Sequence, residues 1–196
     1  MGRWEPNARD RLGQAALDLF AEHGFDQVTV PEITARAGLT TRTFFRHFAD
    51  KREVLFADAD QMPVMAARLV LDAPPGLGPL QVVEYGLPLL ASSAFEGRLE
   101  QIKRRKAVID GHAGLREREL RKMEQLVEAI AQAFRARGAD DTTAAVVAET
   151  AVGLVKVSLG RWIDANGQTP LREIMAESLE VLSNAFMQLR LHPIEA

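Results

Sequence analysis

The chain has 196 residues, of which 47% are hydrophobic and 26% are charged, a composition typical of folded globular proteins rather than disordered ones. It contains no cysteine, which excludes disulfides, thiolate nucleophiles and cysteine-ligated zinc. The formal net charge of −3 taken alone argues against a nucleic-acid-binding protein.

The charge is unevenly distributed along the chain. Residues 1–52 carry 8 Lys/Arg against 7 Asp/Glu, whereas the remaining residues carry 16 against 20. Within residues 41–52 the charged side chains are Arg42, Arg46, Lys51 and Arg52 against Asp50 alone. This cluster fits either a local contact with phosphates or a solvated helix face.

No membrane or secretory segment is predicted. The start, Met1–Pro6, has no apolar run behind its arginine, so we do not expect a signal peptide. The uncharged stretch from Tyr85 to Phe95 is shorter than the roughly 20 residues that span a bilayer. We therefore expect a cytoplasmic protein.

Apolar residues recur at helical spacing along nearly the whole chain, which predicts an all-α fold. The first helix carries the stripe Ala8, Leu12, Ala15, Ala16, Leu19 and Phe20 and ends at Gly24. Thr29–Glu32 is a capping box with proline in the first turn, and it opens a short helix that ends at Gly38. Thr40 caps a third helix over residues 41–48.

The fourth helix is predicted to open with a capping box at Asp50–Glu53 and to run towards Asp72, with a kink or break at Pro63. Residues 73–79 read as a loop. Five further helices are predicted, the first bent by Pro88, over residues 80–95, 97–110, 113–137, 141–165 and 170–191. The chain is predicted to contain about nine helices in total. They divide into a three-helix head, residues 1–52, and a helical body, residues 53–196.

The second and third helices meet at a glycine-bearing turn, Ala37–Thr40, which is typical of a helix-turn-helix. This geometry presents the second helix of the motif to the DNA major groove. We expect Phe44 and Phe48 to point into the head. Thr41, Arg42 and Arg46 are then expected to point outwards, where they reach bases or phosphates.

Four linked segments, Leu19–Phe25, Thr29–Ile33, Ala37–Phe48 and Asp50–Phe56, closely resemble the DNA-binding domain of the TetR family of regulators. The resemblance covers about residues 8–56. It implies that the side chains that contact phosphates or bases are Thr29, Thr40, Thr41, Arg42, Thr43, Phe45, Arg46, His47 and Lys51.

The roles of these residues differ. The resemblance implies that Thr29, His47 and Lys51 contact phosphates, and that Thr41, Arg42 and Thr43 lie nearest the base edges. Many relatives carry a tyrosine, whose hydroxyl binds a phosphate, where this chain has Phe45. Phe45 lacks that hydroxyl, so we expect it to pack or to contact a sugar or a thymine methyl, with Arg46 compensating.

The resemblance also implies that the last two helices form a four-helix bundle with a second subunit. Two apolar stripes, wider than packing against one neighbour requires, support this interpretation. The first comprises Val147, Ala151, Leu154, Val155, Leu159, Trp162 and Ile163, and the second Leu171, Ile174, Met175, Leu179, Leu182, Ala185, Phe186 and Leu189. The predicted interface centres on Val155, Leu159, Leu179, Leu182 and Phe186.

Two features of the body leave alternatives open. Met62, Met65, Tyr85, Phe95 and Trp162 suit the wall of an apolar pocket for a small-molecule effector, and equally suit a core. The basic run from Lys103 to Lys106 fits either an anion-binding role or a helix surface, because four consecutive residues point in different directions.

These features together predict a homodimeric transcription regulator that binds a palindromic operator on double-stranded DNA, represses transcription and is released by an effector. The alternatives are a helical ligand-binding protein and a helical enzyme, neither of which binds DNA. No catalytic, metal-binding or nucleotide-binding motif occurs in the sequence, so we predict no enzymatic activity, no cofactor and no metal.

Overall fold

The computed structural model describes residues 8–57 and 61–191, and within these residues the secondary structure is entirely helical. This confirms the predicted all-α fold. A one-turn 3₁₀ helix, Glu53–Phe56, follows the third α-helix, and a π-helical turn, Ala91–Phe95, follows the fifth. The α-helices are α1 (Ala8–His23), α2 (Val30–Ala37), α3 (Thr41–His47), α4 (Met62–Leu71), α5 (Pro79–Leu90), α6 (Leu99–Asp110), α7 (Ala113–Ala136), α8 (Asp141–Asp164) and α9 (Leu171–Leu191).

The helices form two compact units. The first unit contains Met1–Gln61 together with Glu100–Lys122, and the second contains Met62–Leu99 together with Met123–Ala196. The first unit therefore draws α6 and the beginning of α7 onto the N-terminal helices. The predicted boundary between a DNA-binding head, residues 1–52, and a body, residues 53–196, concerns function and stays a prediction. The packing unit differs from it because it combines two separate stretches of the sequence.

The core of the first unit is built on the apolar stripe of α1. Five of the six predicted stripe residues are buried, and Ala8, in the first turn of α1, is half-buried; the buried five are Leu12, Ala15, Ala16, Leu19 and Phe20. They pack in one cluster whose members from other elements include Ile33, Phe44, Phe56, Ile109 and Leu115. Burying one such large apolar side chain stabilises a fold by about 1.5–3 kcal/mol. Ile109 of α6 and Leu115 of α7 therefore contribute to the stability of the first unit.

The turn between α2 and α3 requires the glycine found there. Gly38 has φ +63°, a left-handed conformation that other residues adopt only with strain. Its N–H donates to the Ala35 carbonyl at 3.1 Å, and the Leu39 N–H donates to the Thr34 carbonyl at 2.8 Å. A Cβ at Gly38 would also lie 3.1 Å from the Arg11 guanidinium. The predicted helix end at this residue is confirmed.

The region predicted as a fourth helix, from residue 50 towards residue 72 with a kink or break at Pro63, contains two separate helical elements. The Asp50 carboxylate accepts hydrogen bonds from the amides of Arg52 (2.7 Å) and Glu53 (3.2 Å), but the segment that follows, Glu53–Phe56, is a one-turn 3₁₀ helix rather than the predicted start of an α-helix. A separate helix, α4, begins at Met62. Pro63 therefore lies in a first helical turn, where its missing N–H leaves no intrahelical bond unmade, rather than at an interior kink.

The predicted helix over residues 80–95 changes type near its end. Pro88 lies inside α5 and cannot donate a backbone hydrogen bond. After Leu90 the backbone widens to π-helical pairing, in which the Glu96 N–H donates to the Ala91 carbonyl at 3.0 Å. The hydroxyls of Ser92 and Ser93 donate to the carbonyls of Pro88 and Leu89, at 3.1 and 2.7 Å. These serines supply donors where the helical ladder is interrupted.

In the second unit α8 and α9 pack against each other. Ser158 of α8 donates to Ser178 of α9 at 3.0 Å, and the Ser178 hydroxyl donates to the Ile174 carbonyl at 2.8 Å, so this buried polar pair is satisfied. Among the described helices, α8 is long and apolar enough to cross a membrane by length and composition alone. One such helix is weak evidence for a membrane span, because core helices pass the same test.

Candidate nucleic-acid interface

The third helix is held so that its two faces differ sharply. The Thr40 hydroxyl accepts a hydrogen bond from the Thr43 amide at 3.2 Å and thereby caps α3. Phe44 and Phe48 are buried in the unit, whereas Thr41, Arg42 and Arg46 are exposed. The orientation predicted for these five residues is confirmed, and α3 presents a polar, basic face to solvent.

Arg42 is distinguished from other arginines of the first unit by its lack of partners. Among the described residues it makes no hydrogen bond and no ion pair. Other guanidiniums nearby are bound within the unit, by carbonyls or carboxylates: Arg9 by His47 and Ala57, Arg11 by Ala37, Arg36 by Glu22 and Arg52 by Asp50. Arg42 therefore offers its full planar set of donors to an external acceptor.

Lys51 does not resemble a free surface lysine. Its ammonium donates to the carbonyls of Phe25 at 2.7 Å and Val28 at 2.8 Å, and it lies 4.3 Å from the centroid of the Phe25 ring. The side chain thus closes the loop between α1 and α2. The phosphate contact implied for Lys51 stays a prediction, and the structure adds an internal role that sequence reasoning missed.

The C-terminal half of α3 combines an exposed aromatic ring with two basic side chains. Phe45 is 59% exposed, and its ring meets the buried Phe44 ring edge-on at 5.4 Å. The Arg46 guanidinium lies 3.5 Å from Nε2 of the half-buried His47. An exposed ring beside a cation suits contact with a sugar or a methyl group next to a phosphate.

Thr29 caps α2, as predicted. Its hydroxyl and its amide both donate to the Glu32 carboxylate at 2.7 Å, and the hydroxyl accepts from the Glu32 amide at 3.4 Å. These hydrogen bonds, first that of the side chain and then that of the backbone, lower the pKa of Glu32. Thr29 therefore fixes the start of α2 at the surface of the unit.

The basic run Lys103–Lys106 is held by neighbours within the chain. Lys103 pairs with Glu100 at 3.5 Å and Lys106 with Asp110 at 2.6 Å, both along α6. Arg104 pairs with Asp18 of α1 at 2.7 Å. Arg105 donates to the Leu55 carbonyl at 2.7 Å. Of the two interpretations left open, these contacts support a structural role, with the central arginines tying α6 to the N-terminal helices.

In the second unit the residues predicted at a dimer interface differ in exposure. Phe186 is 54% exposed, whereas Val155, Leu159, Leu179 and Leu182 are half-buried. Leu189 lies outside the residues whose side chains are described. Other apolar side chains on α8 and α9 are exposed beyond half of their surface, namely Val146, Val157, Val181 and Met187.

The predicted pocket residues have different environments. Trp162 is 5% exposed and Tyr85 is 42% exposed, whereas Met62, Met65 and Phe95 are half-buried. The Ser93 hydroxyl lies 3.8 Å from the Met65 sulfur, which places α4 next to the π-helical turn. A cleft of about 630 Å³ in the same unit is lined by none of the five predicted residues; its lining is Leu71, Ala73, residues 75–79, Val82, Phe134 and residues 137–139.

Two family models match the sequence. Residues 13–57 match the model of the tetR family of bacterial regulatory proteins, and residues 90–187 match the model of the MftR C-terminal domain. The first match coincides with the helix-turn-helix described above. The second spans the end of α5 through most of α9.

Two curated relatives are similar to parts of the chain. The HTH-type transcriptional regulator TcmR of Streptomyces glaucescens is 32% identical over 94 residues, which are 48% of this chain and 42% of TcmR. The putative mycofactocin biosynthesis transcriptional regulator MftR of Mycobacterium tuberculosis is 36% identical over 58 residues, which are 30% of this chain and 29% of MftR. The chain thus spans less than half the length of the curated relatives it matches.

Solved structures share the fold at low sequence identity. A putative TetR-family regulator from Syntrophomonas wolfei has a TM-score of 0.63 at 15% identity, with 96% of this chain and 98% of that chain covered. The SmeT–triclosan complex has a TM-score of 0.58 at 18% identity, with 92% and 91% covered. FadR from Bacillus subtilis, in complex with stearoyl-CoA, has a TM-score of 0.56 at 16% identity, with 88% and 96% covered.

Proposed function

Because the chain belongs to the TetR family of bacterial regulatory proteins, we propose that it is a repressor that binds a palindromic DNA operator as a homodimer. Both family models and both curated relatives are those of regulators, which confirms the prediction of a regulator rather than an enzyme. The observation that carries the proposal is the exposed face of α3, on which Arg42 has no partner among the described residues. The protein acts in the cytoplasm, where bacterial DNA lies.

The DNA contacts divide into two kinds. Arg42, with Thr41 and Thr43 beside it, reads base edges in the major groove, because a guanidinium pairs with guanine through two donors at once. Phe45 contacts a sugar or a thymine methyl. Phosphates are held by Thr29, Thr40, Arg46, His47 and, as far as its internal bonds allow, Lys51. We assign this function to residues 1–52, stabilised by the residues of α6 and α7 that pack on them.

Dimerisation through α8 and α9 would supply the second recognition helix. Five large apolar side chains exposed on these two helices support this assignment, because exposed apolar surface can mark an interaction site; they are Val146, Val157, Val181, Phe186 and Met187. A two-fold dimer places two recognition helices about 34–36 Å apart, which matches successive major grooves. We assign dimerisation and ligand binding to residues 53–196.

We propose that the operator is released when a small apolar effector binds in the second unit. The SmeT and FadR structures contain triclosan and stearoyl-CoA, which motivates the proposal of an apolar ligand here. Met62, Met65, Tyr85, Phe95 and Trp162 are the proposed lining. Such coupling is typically worth about 1–3 kcal/mol, so a saturating effector would weaken operator binding about 5- to 150-fold.

The test is selection of bound fragments from random duplex DNA with the full chain. A regulator of this kind enriches one palindrome whose half-sites lie about 10 base pairs apart, centre to centre. A helical ligand-binding protein or an enzyme without DNA function enriches no sequence. Absence of enrichment, with a folded dimeric protein in the assay, would contradict the proposed function.

A further inference from the structure

The loop between α1 and α2 is held by a residue far away in the sequence. We propose that His112, at the start of α7, is a positioning residue for DNA binding that fixes this loop, residues 24–29, and with it the first turn of α2. The inference rests on the proposed DNA-binding function. His112 lies outside the stretch that resembles a DNA-binding domain, and it contacts no residue of α3 among the described contacts.

The His112 ring makes two contacts with the loop, a polar one with Asp26 and an aromatic one with Phe25. Nε2 lies 3.2 Å from the Asp26 carboxylate, and the ring meets the Phe25 ring nearly edge-on, with centroids 4.9 Å apart. The other nitrogen, Nδ1, accepts a hydrogen bond from the Leu115 amide at 3.3 Å. A neutral ring with its proton on Nε2 satisfies both contacts at once, because that nitrogen then donates to Asp26 while Nδ1 accepts.

The same loop is held from a second side. Phe25 is the shared element, since its ring also lies 5.0 Å from the Phe20 ring and 4.3 Å from the Lys51 ammonium. Lys51 binds the carbonyls at both ends of the loop, those of Phe25 and Val28. The loop is therefore clamped between a lysine inside the helix-turn-helix segment and a histidine outside it.

The clamp bears on DNA binding because the loop ends at Thr29. That residue caps α2, the helix that braces the recognition helix across the DNA backbone. If the loop is loosened, α2 adopts several orientations in the free protein, and only one of them fits DNA. Selecting that orientation on binding costs conformational entropy and lowers the affinity for DNA. The cost falls on backbone contacts, so we expect weaker binding without altered base preference.

The variants separate the two roles of His112, which accepts a hydrogen bond from the Leu115 amide and contacts Asp26 and Phe25 of the loop. In His112→Asn the short side chain keeps a cap acceptor for the Leu115 amide but cannot reach Asp26 or the Phe25 ring. Asp26→Asn, alone and combined with His112→Asn, completes a double-mutant cycle. Asp110→Asn is the matched control, because it removes an exposed ion pair, that with Lys106, two residues from His112. The probe is the palindromic duplex selected with the wild-type protein, compared with a duplex of mixed sequence.

We expect His112→Asn to weaken binding of the selected duplex about three- to tenfold, the size of one exposed hydrogen bond plus one aromatic contact. The loss should shrink in the Asp26→Asn background, and Asp110→Asn should bind like wild type. Measurement at 10 °C keeps all variants folded, and melting curves check this. Unchanged affinity in His112→Asn, or an equal loss in both backgrounds, overturns the inference. A wild-type protein that binds no duplex above the mixed-sequence control contradicts the proposed function instead.

Discussion

The Arg105 guanidinium of α6 donates a hydrogen bond from Nε to the backbone carbonyl of Leu55 at 2.7 Å, across 50 residues of sequence. The same guanidinium lies 5.2 Å from the centroid of the Phe56 ring and 3.5 Å from the Glu119 carboxylate. One side chain thus joins the 3₁₀ turn after the helix-turn-helix to both α6 and α7. The first unit depends on these distant residues for its stability.

Arg105→Ala should lower the free energy of unfolding by about 1–2 kcal/mol, because a hydrogen bond and a cation–π contact are lost together. Lys106→Ala is the matched control, because it removes a neighbouring charge that pairs with Asp110 at the surface. Such a pair stabilises a helix by only about 0.3–0.5 kcal/mol. Urea unfolding followed by circular dichroism measures both. Equal effects of the two substitutions would show that the contact with Leu55 contributes nothing.

Lys51→Ala should destabilise the first unit by about 1–2 kcal/mol, because two carbonyls and an aromatic face lose their cation. Its effect on the salt dependence of DNA binding is expected to be smaller than the unit slope change per subunit of a free phosphate contact. Thermal melts and operator titrations at several salt concentrations separate the two roles. A full unit change in slope with unaltered stability would restore Lys51 as a pure phosphate contact.

Asp50 provides a test by pH. The hydrogen bond from the Arg52 side chain, together with those from the Glu53 and Arg52 amides, lowers the pKa of Asp50 below its usual 3.8. Because the pKa of Asp50 is lower in the folded state than in the unfolded state, the ionised carboxylate stabilises the fold at pH values above the unfolded-state pKa. This stabilisation is lost as the pH falls through the folded-state pKa. Asp50→Asn keeps an oxygen that can accept the two amide hydrogen bonds but loses the ion pair with Arg52, so it should be less stable than wild type at pH 7.

The difference between Asp50→Asn and wild type should narrow between pH 7 and an acid pH below the lowered pKa of Asp50, because the carboxyl is then protonated in the folded state as well. Urea midpoints at the two pH values give the comparison. Asp141→Asn, which removes an exposed ion pair with Arg135 in the second unit, serves as the control for loss of a surface ion pair. A constant difference at both pH values would argue that the charge of Asp50 does not stabilise the fold.

If the proposed dimer forms through α8 and α9, Phe186→Glu should yield monomers, because the exposed ring is replaced by a carboxylate that an apolar interface would bury unpaired. Asn184→Glu places the same charge on the same helix, at an exposed polar position beside Glu180, and should leave the dimer intact. Sedimentation velocity measures both. Persistent dimers in Phe186→Glu would move the interface away from this face of α9.

Local features of the fold were predictable from sequence because they depend on residues close to one another. The cap at Thr29, the left-handed Gly38 and the cap at Thr40 each follow from three or four neighbouring residues, and all three occur. The burial of Phe44 and Phe48 follows in the same way from helical periodicity. The exposed face of α3, and hence the candidate site, was accessible by the same reasoning.

Long-range contacts were not predictable in this way. Periodicity shows which face of a helix is apolar but not which helix covers it, so the pairing of Arg104 with Asp18 left no sequence signal. The inward turn of Lys51 is similar, because a lysine next to an exposed arginine reads as part of a charged surface. At Pro63 the sequence left a kink and a break open, because proline fits both a kinked interior and a first turn; the start of α4 at Met62 places it in a first turn.

The central claim is that Arg42 reads bases from the exposed face of α3. The most direct measurement is titration of Arg42→Ala against the selected operator and its single-base variants, with Arg52→Ala as control because that guanidinium is already held by Asp50. We predict a loss of about 1–3 kcal/mol at the operator and relaxed preference at one base pair in each half-site for Arg42→Ala, and unaltered preference for Arg52→Ala. Unchanged base preference in Arg42→Ala would contradict this account.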